Sequence, residues 1–385
     1  MNTNNTKQFS AIISGGGSGG HIFPAVAIAG AIKARYPEAR LLFIGAEGRM
    51  EMEKVPAAGY EIVGLPIAGL QRELTLENIF KNLQLPYKVL RSQYKVRSII
   101  RQFDPDIVVG VGGFASEPTL KVAARMGYTT LLQEQNSYAG LTNRTLSRSA
   151  SAICVAYEGM ERFFPADKIV FTGNPVRSTI ERATATRDEG CATFGLDPSL
   201  PVLFSVGGSL GARSINQMVI NNLSFFPDNQ VQILWQTGKW MYQQAVEAVR
   251  AAGLEQWVKV HQFVERMDQA YAAADLIVSR AGAIAISELC FVGKPVILIP
   301  SPNVAEDHQT HNAMALVRKG AALLVRDDAC GTQGLPQSLD LLHNPQQCQS
   351  MAEAIRSMAV PHAADNIVDQ IEIQLNRKNS TPHSV

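Results

Sequence analysis

Short apolar runs alternate with segments of helical period along most of the 385-residue chain. Phe9–Ile13 is apolar and leads into Ser14-Gly15-Gly16-Gly17-Ser18-Gly19-Gly20-His21. Beyond it Ile22, Ala25, Val26, Ala29 and Ile32 recur at spacings of three and four, which predicts a strand, a glycine turn and a helix in succession. Leu41–Ile44 predicts a second strand, Glu47–Ala58 a helix, Ile62–Leu65 a short strand and Thr75–Arg101 a further helical region. Asp104-Pro105-Asp106 turns the chain into Ile107–Val111, a continuous apolar run suited to a strand covered on both faces. Gly112-Gly113-Phe114-Ala115-Ser116 and a helix over Thr119–Arg125 follow, then strands at Thr129–Leu132, Ala152–Val155 and Ile169–Phe171. This alternation predicts a parallel sheet with helices on both sides.

The pattern lapses over Ser178–Pro201, which is polar and mixed and reads as a linker or peripheral helix, with a domain boundary near Arg177. It then restarts. Pro201–Val206 reads as a strand, Gly207-Gly208-Ser209-Leu210-Gly211 as a glycine loop and Ala212–Ile220 as a helix. Asp275–Ser279 leads through Arg280-Ala281-Gly282-Ala283 into a helix bearing Ser287 and Glu288, echoing Val108–Leu120 of the first half. The expected class is therefore α/β, with two Rossmann-like domains whose parallel sheets face each other across a cleft. They span residues 1–177 and 178–360. In the remainder, 361–385, Ala364, Ile367, Val368, Ile371 and Leu375 share one helical face that should dock on a partner, back toward the first domain, ahead of a frayed tail.

Length also favours two domains, since 385 residues exceed the range of one growing core. A net charge of +1 gives no overall argument for nucleic acid. Five cysteines, odd in number and far apart, form neither a metal spacing nor a disulfide framework, which fits a reducing compartment. Met1–Gln8 is polar and no run of 18 apolar residues occurs, so no membrane span is expected.

Three readings of the first glycine loop stay open on its residues alone: a diphosphate or sugar site, a dinucleotide site, or a tight structural turn. Gly15-x-Gly17-x-x-Gly20 meets the dinucleotide fingerprint, but Glu47 lies 27 residues past Gly20 instead of about 20, and no Lys-Ser/Thr follows to make a Walker loop. A second polar cluster, Glu306-Asp307-His308-Gln309-Thr310-His311-Asn312, follows the strand Val296–Ile299 and the rigid Pro300-Ser301-Pro302. Open α/β sheets place ligands at such a position. His308 and His311 lack a third ligand of matched spacing, so a hydrogen-bonding wall for a hydroxyl-rich ligand fits better than a metal.

An ordered set of motifs carries a resemblance over nearly the whole chain. It comprises Gly15–His21 with Phe23-Pro24, Gly112–Ser116, Glu134-Gln135-Asn136, Ala139–Asn143, Gly173–Arg177, Gly207–Ala212, Gln236-Thr237-Gly238, Arg280–Ala283 with Ser287-Glu288, and Glu306–Thr310 with Asn312-Ala313. Each is weak alone; together, in this order, they resemble the bacterial peptidoglycan glycosyltransferases of the GT-B superfamily. Those enzymes transfer N-acetylglucosamine from UDP-N-acetylglucosamine to undecaprenyl-pyrophosphoryl-N-acetylmuramoyl-pentapeptide. The resemblance implies that the second domain binds the nucleotide sugar and the first receives the lipid-linked acceptor, with no cofactor and no metal. Glu288 would hold the ribose hydroxyls, and backbone at Phe263-Val264 would recognise uracil. Ser209, Leu210, Gly211 and Arg177 would contact the diphosphate. Gln309 and Asn312 would read sugar hydroxyls with Thr310 beside them, where the family often has a second glutamine. Further substrate contacts would fall at Ser18, Gly19, Gly20, Asn136 and Ala283. One departure is Glu117, where the family usually has glycine; it should face away from an acceptor pyrophosphate. Another is Phe114, where some members carry Tyr, so no hydroxyl there can be essential.

The implied reaction is one inverting displacement, which needs a base for the acceptor's C4 hydroxyl. His21 is the leading candidate, since an ordinary imidazole is mostly neutral near pH 7; its alternative role is to cap the loop. Glu134 is the second candidate base, or the partner that fixes the imidazole, or a buried carboxylate satisfying loop amides. Leu70–Arg101 carries seven Lys or Arg against Glu73 and Glu77, with Leu74, Leu76, Ile79, Phe80, Leu83, Leu85 and Tyr87 interleaved. That composition suits a peripheral seat on an anionic bilayer, at the cytoplasmic face of the inner membrane and near other cell-wall synthesis proteins; the alternative is an ordinary core with a solvated basic face. Rival readings are a GT-B transferase with another lipid or soluble acceptor, an NAD-dependent oxidoreductase and a sugar-nucleotide epimerase.

Overall fold

The computed structural model describes residues 8–17, 19–67, 83 and 85–380. Ser18 and, of the expected basic segment Leu70–Arg101, residues 70–82 and 84 lie outside them. The chain divides into two compact units, Met1–Pro175 with His362–Val385, and Val176–Pro361.

The first unit contains β1 (Ser10–Ser14), β2 (Arg40–Ala46), β3 (Glu61–Leu65), β4 (Ile107–Gly110), β5 (Thr129–Glu134), β6 (Ala152–Val155) and β7 (Ile169–Phe171). They form one parallel sheet in the order β3-β2-β1-β4-β5-β6-β7. Side chains alternate between its faces. Ile12, Val108, Leu132 and Ile153 enter one core with Val96, Ile100 and Leu120, while Ala11, Ile13, Val109 and Leu131 enter the other with Ile22, Ile28 and Ile32. That second core is completed from the far end of the chain. The helix Ala363–Ser380 buries Ile367, Val368 and Ile371 in it, and Glu372 accepts a hydrogen bond from the Tyr36 hydroxyl at 2.7 Å.

The second unit contains β8 (Val202–Val206), β9 (Gln232–Gln236), β10 (Val258–His261), β11 (Leu276–Ser279), β12 (Val296–Leu298) and β13 (Leu323–Leu324), all parallel in the order β10-β9-β8-β11-β12-β13. In each sheet the order reverses beside its first strand, between β1 and β4 and between β8 and β11. Loops at the carboxyl ends of the strands diverge at such a point and leave room for a ligand.

The structure departs from the sequence pattern in three places. Residues 178–201 take the helical one of the two readings but are packed into the core: helices run over Ser178–Glu181 and Arg187–Phe194, and Ile180 and Cys191 are buried. Gly190 there lies so close to the helix Met267–Ala273 that a Cβ would fall 2.4 Å from the Gln269 carbonyl. Because small residues make the contact, the segment reads as polar; its start is signalled by the capping box of Thr186 and Glu189. The helix expected from Glu47 begins at Glu51 after a turn. β9, β10 and β13 carry too short an apolar centre to stand out, although Gln232 and Gln236 are themselves buried.

Candidate functional site

In the first unit the glycine loop joins β1 to the helix Gly19–Arg35, and His21 enters on the first turn of that helix. Its ring is half-buried beside the loop that follows β4. Nδ1 lies 2.9 Å from the Val111 carbonyl and 3.1 Å from Oε1 of Gln135. Gln135 is itself oriented by donating from Nε2 to the same carbonyl, at 2.7 Å. With two acceptors facing it, Nδ1 carries the hydrogen, and Nε2 has the lone pair that a proton acceptor needs. The imidazole sits directly on Gly112, where a Cβ would come within 2.9 Å of Cε1.

Glu134 ends β5 and is fully buried. Oε1 accepts from the amide nitrogen and Nδ2 of Asn136 at 3.0 and 3.2 Å, and Oε2 from the Gly140 amide and Nδ2 of Asn143 at 3.1 and 2.9 Å. Of the roles open to it, satisfying loop amides is the one this geometry fits: the carboxylate organises the turn 134–143. Gln135, the next residue and so aimed the other way, meets the imidazole. Asn136 is accordingly held by Glu134. Glu117 pairs with Lys121 four positions on, at 2.9 Å.

In the second unit the loop Gly207–Gly211 joins β8 to the helix Arg213–Ile220. Gly211, at φ +83°, backs onto the strand beside it, so that a Cβ would fall 1.9 Å from the Thr237 carbonyl. Ser209 and Leu210 are exposed at the tip of the loop. Across the switch point, Ala283 opens the helix Ala283–Val292, on which Glu288 is buried. Arg177 grips Glu288 with both prongs of its guanidinium, Nε to Oε1 at 2.6 Å and Nη2 to Oε2 at 2.7 Å. Burial pulls the Arg177 pKa down, but the carboxylate more than reverses it, leaving a net rise. The two residues expected on ribose and diphosphate thus hold each other. The buried Tyr271 hydroxyl also meets Glu288, and burial first, then that carboxylate, drives its pKa up.

The remaining expected contacts divide. Phe263 is 52% exposed, whereas Val264 is buried and its amide is spent on Oε1 of Gln236 at 2.8 Å. Uracil would therefore have to read other backbone groups of this turn. Gln309 accepts from the Ser301 amide at 2.8 Å and so braces the proline loop. The Thr310 hydroxyl donates to Asp307 at 2.7 Å. Asn312 is fully buried with Nδ2 3.4 Å from the Ala281 carbonyl, where it supports the turn into Ala283. Glu306 and Asp307, at φ +54° and +48°, adopt a left-handed backbone that costs non-glycine residues free energy. Among the described residues no group of three or more His, Cys, Asp or Glu could hold a metal ion.

Sequence reasoning passed over several supports. Arg280 donates to the Ile299 and Pro300 carbonyls at 3.0 and 3.1 Å, to the Ser214 hydroxyl at 3.0 Å and to the Asp327 carboxylate, tying together the ends of the central strands. Gln236, Gln135 and Tyr271 act similarly.

Comparison with known proteins adds a family and named relatives. Residues 11–155 match the glycosyltransferase family 28 N-terminal domain and residues 202–367 the glycosyltransferase family 28 C-terminal domain. The chain is 51% identical to a protein of Parabacteroides distasonis, over 97% of this chain and 100% of that one. It is 52% identical to one of Bacteroides fragilis, over 96% and 98%. Both are named UDP-N-acetylglucosamine--N-acetylmuramyl-(pentapeptide) pyrophosphoryl-undecaprenol N-acetylglucosamine transferase. The crystal structure of Acinetobacter baumannii MurG superimposes with a TM-score of 0.75 at 28% identity, covering 95% of this chain and 99% of that one.

Proposed function

The chain belongs to glycosyltransferase family 28, and from that premise we infer that it transfers N-acetylglucosamine from UDP-N-acetylglucosamine to the C4 hydroxyl of undecaprenyl-pyrophosphoryl-N-acetylmuramoyl-pentapeptide. The observation that carries this is near-full-length identity of 51% to a transferase named for that reaction, on the same GT-B fold.

Each unit contributes half of the chemistry. The acceptor's C4 oxygen attacks the anomeric carbon of the donor sugar from the face opposite the nucleotide, and its proton passes to Nε2 of His21. The bond from that carbon to the diphosphate oxygen breaks, the electron pair leaves with UDP, and the configuration inverts. Val111 and Gln135 hold the tautomer this step requires. Glu134, with Asn136, acts as a positioning residue for the turn beside it.

In the donor half, the vicinal ribose hydroxyls replace the Arg177 guanidinium on Glu288. The released guanidinium then turns to the diphosphate, so binding and charge stabilisation are coupled through one exchange. Amides at Ser209–Gly211 and at the start of the Ala283 helix share that charge, Phe263 and the turn around it receive uracil, and Gln309 and Thr310 face the sugar. On the acceptor side, Gly19 and Gly20 present the amides of a helix N-terminus to the lipid-linked pyrophosphate.

The acceptor's lipid calls for a membrane seat, and the helix Leu85–Phe103 offers one. Ser92, Val96 and Ile100 face the core, while Tyr87, Leu90 and Tyr94, at helical spacing on the opposite side, are 67–81% exposed and flanked by exposed Arg91, Arg97 and Arg101; Leu83, ahead of the helix, is exposed too. No helix among the described residues is long and apolar enough to cross a membrane; an amphipathic, basic helix face of this kind suits a peripheral seat, which we place at the cytoplasmic face. The deciding measurement is UDP release from UDP-N-acetylglucosamine with and without the muramoyl lipid. Release that depends on this lipid is expected. Equal release without it, or none with it, refutes the assignment.

A further inference from the structure

Beneath the first glycine loop lies a charge that the reaction above leaves unused. Glu51 is 1% exposed and opens the helix Glu51–Ala57, just past the end of β2. Its carboxylate accepts a hydrogen bond from the Gly17 amide at 3.0 Å through Oε2, and from the Ala46 amide at 3.0 Å through Oε1. The approach is so close that a Cβ on Gly16 would lie 2.1 Å from Oε1. Amides of a glycine loop after the first strand of such a sheet ordinarily offer themselves to a ligand's phosphate. Here a protein carboxylate already occupies one of them.

That contact is the lowest layer of a stack that ends at the imidazole. Gly113 backs onto Gly16, where a Cβ would come within 2.3 Å of the Gly16 carbonyl oxygen, and Gly17 packs against the Phe114 ring. Gly112 backs onto His21 in the same way, and the Val111 carbonyl that anchors Nδ1 is one residue earlier. Layers at van der Waals contact transmit a displacement instead of absorbing it.

We propose that Glu51 is a positioning residue for the transfer: its carboxylate fills the seat beneath the loop and so fixes Gly16–Gly17, the Gly112–Gly113 turn and the ring of His21. The proposal rests on His21 as the proton acceptor. Its test compares Glu51→Ala, Glu51→Gln and His21→Ala in the full chain, measuring kcat with the muramoyl lipid and Kd for UDP. A misplacement of about 1 Å costs on the order of 100-fold, so kcat of Glu51→Ala should fall roughly 10- to 100-fold while Kd stays within about twofold. Added formate, which can occupy the vacated seat, should restore part of kcat saturably, and chloride at equal ionic strength should not. Glu51→Gln, whose amide can accept from only one of the two N–H groups, should lie between.

A Glu51→Ala kcat within about threefold of wild type overturns the proposal, and so does a loss that formate leaves untouched. Should Glu51→Ala fail to fold, Glu51→Gln decides on the same threefold criterion. His21→Ala separates the two ideas. If it keeps full turnover, the proton-acceptor assignment has failed; if it loses turnover while both Glu51 variants keep theirs, only the role of Glu51 has.

Discussion

Both units begin with a strand, a glycine loop and a helix, and both support the loop from the second strand of the sheet, but with different chemistry. In the first unit the support is the Glu51 carboxylate, reaching from just beyond β2 to the Gly17 amide. In the second it is the neutral Gln236 at the end of β9, which donates to the Gly208 carbonyl at 3.0 Å and accepts from Val264. A buried carboxylate takes an amide that a phosphate could have used and adds a charge that repels one. A carboxamide binds a carbonyl and adds no charge. One frame can therefore leave its loop amides to a nucleotide diphosphate in one copy and give the Gly17 amide to a carboxylate in the other, where only the helix amides at Gly19 and Gly20 remain for an anion.

The largest effect should come from the proton acceptor. His21→Ala should lower turnover by roughly 100- to 10,000-fold and leave donor affinity intact, because the proposed donor site is built from residues of the other unit. The acidic limb of the rate profile should move or vanish with it. A His21→Gln variant within about threefold of wild type, with that limb unshifted, assigns the residue to loop capping instead. Next is the ribose contact. Glu288→Ala should weaken UDP binding by about 10- to 100-fold, since hydrogen bonds to a charged group are worth about 1.5 to 3 kcal/mol. Arg177→Gln sharpens the point, because it should weaken UDP yet leave uridine, which lacks the diphosphate, bound as well as before or better. Equal losses for both ligands in calorimetry would dispose of the exchange.

The comparison itself can be broken by transplanting the charge. Gln236→Glu places beneath the second loop what the first already has, and should weaken UDP by about tenfold more than the uncharged Gln236→Leu, for each ~1.4 kcal/mol of repulsion. If the two variants bind alike, charge is not what separates the units. The smallest effect on chemistry should follow Tyr87→Ser with Leu90→Ser and Tyr94→Ser, which should reduce sedimentation with anionic vesicles while turnover of a water-soluble acceptor analogue stays near wild type. Undiminished sedimentation would place the membrane seat elsewhere.

The frame of the molecule was legible because it is written in local patterns: β1, β4, β8 and β11, their glycine loops, and the helices after them follow from apolar runs and periodicity. The places of His21 and Glu288 were legible for the same reason, since each sits on the turn or helix after such a strand. What stayed hidden are pairings between distant residues. Arg177 and Glu288 are 111 positions apart, His21 and Gln135 are 114, and Gly17 and Glu51 are 34. Nothing in the identity of either partner announces the other. The burial of Asn312 stayed hidden for a related reason: a polar residue past a strand's end suits a ligand wall, and nothing local marks it as packed. The capping box at Thr186 was a local signal that could have marked the helix Arg187–Phe194.

The helix Ala363–Ser380, which packs over β5 and β6 beside the helix Gly19–Arg35, sets a timetable for synthesis. The strands of the first unit leave the ribosome early, but the side chains that seal one of their faces follow only after Val176–Pro361, 186 residues later. At about 5–20 residues per second, that face waits on the order of 10 to 40 s, while the second unit already has its full set of strands. The nascent first unit is thus the part of this chain most in need of a chaperone, and in a chain stopped near His362 limited proteolysis should degrade Met1–Pro175 while Val176–Pro361 resists.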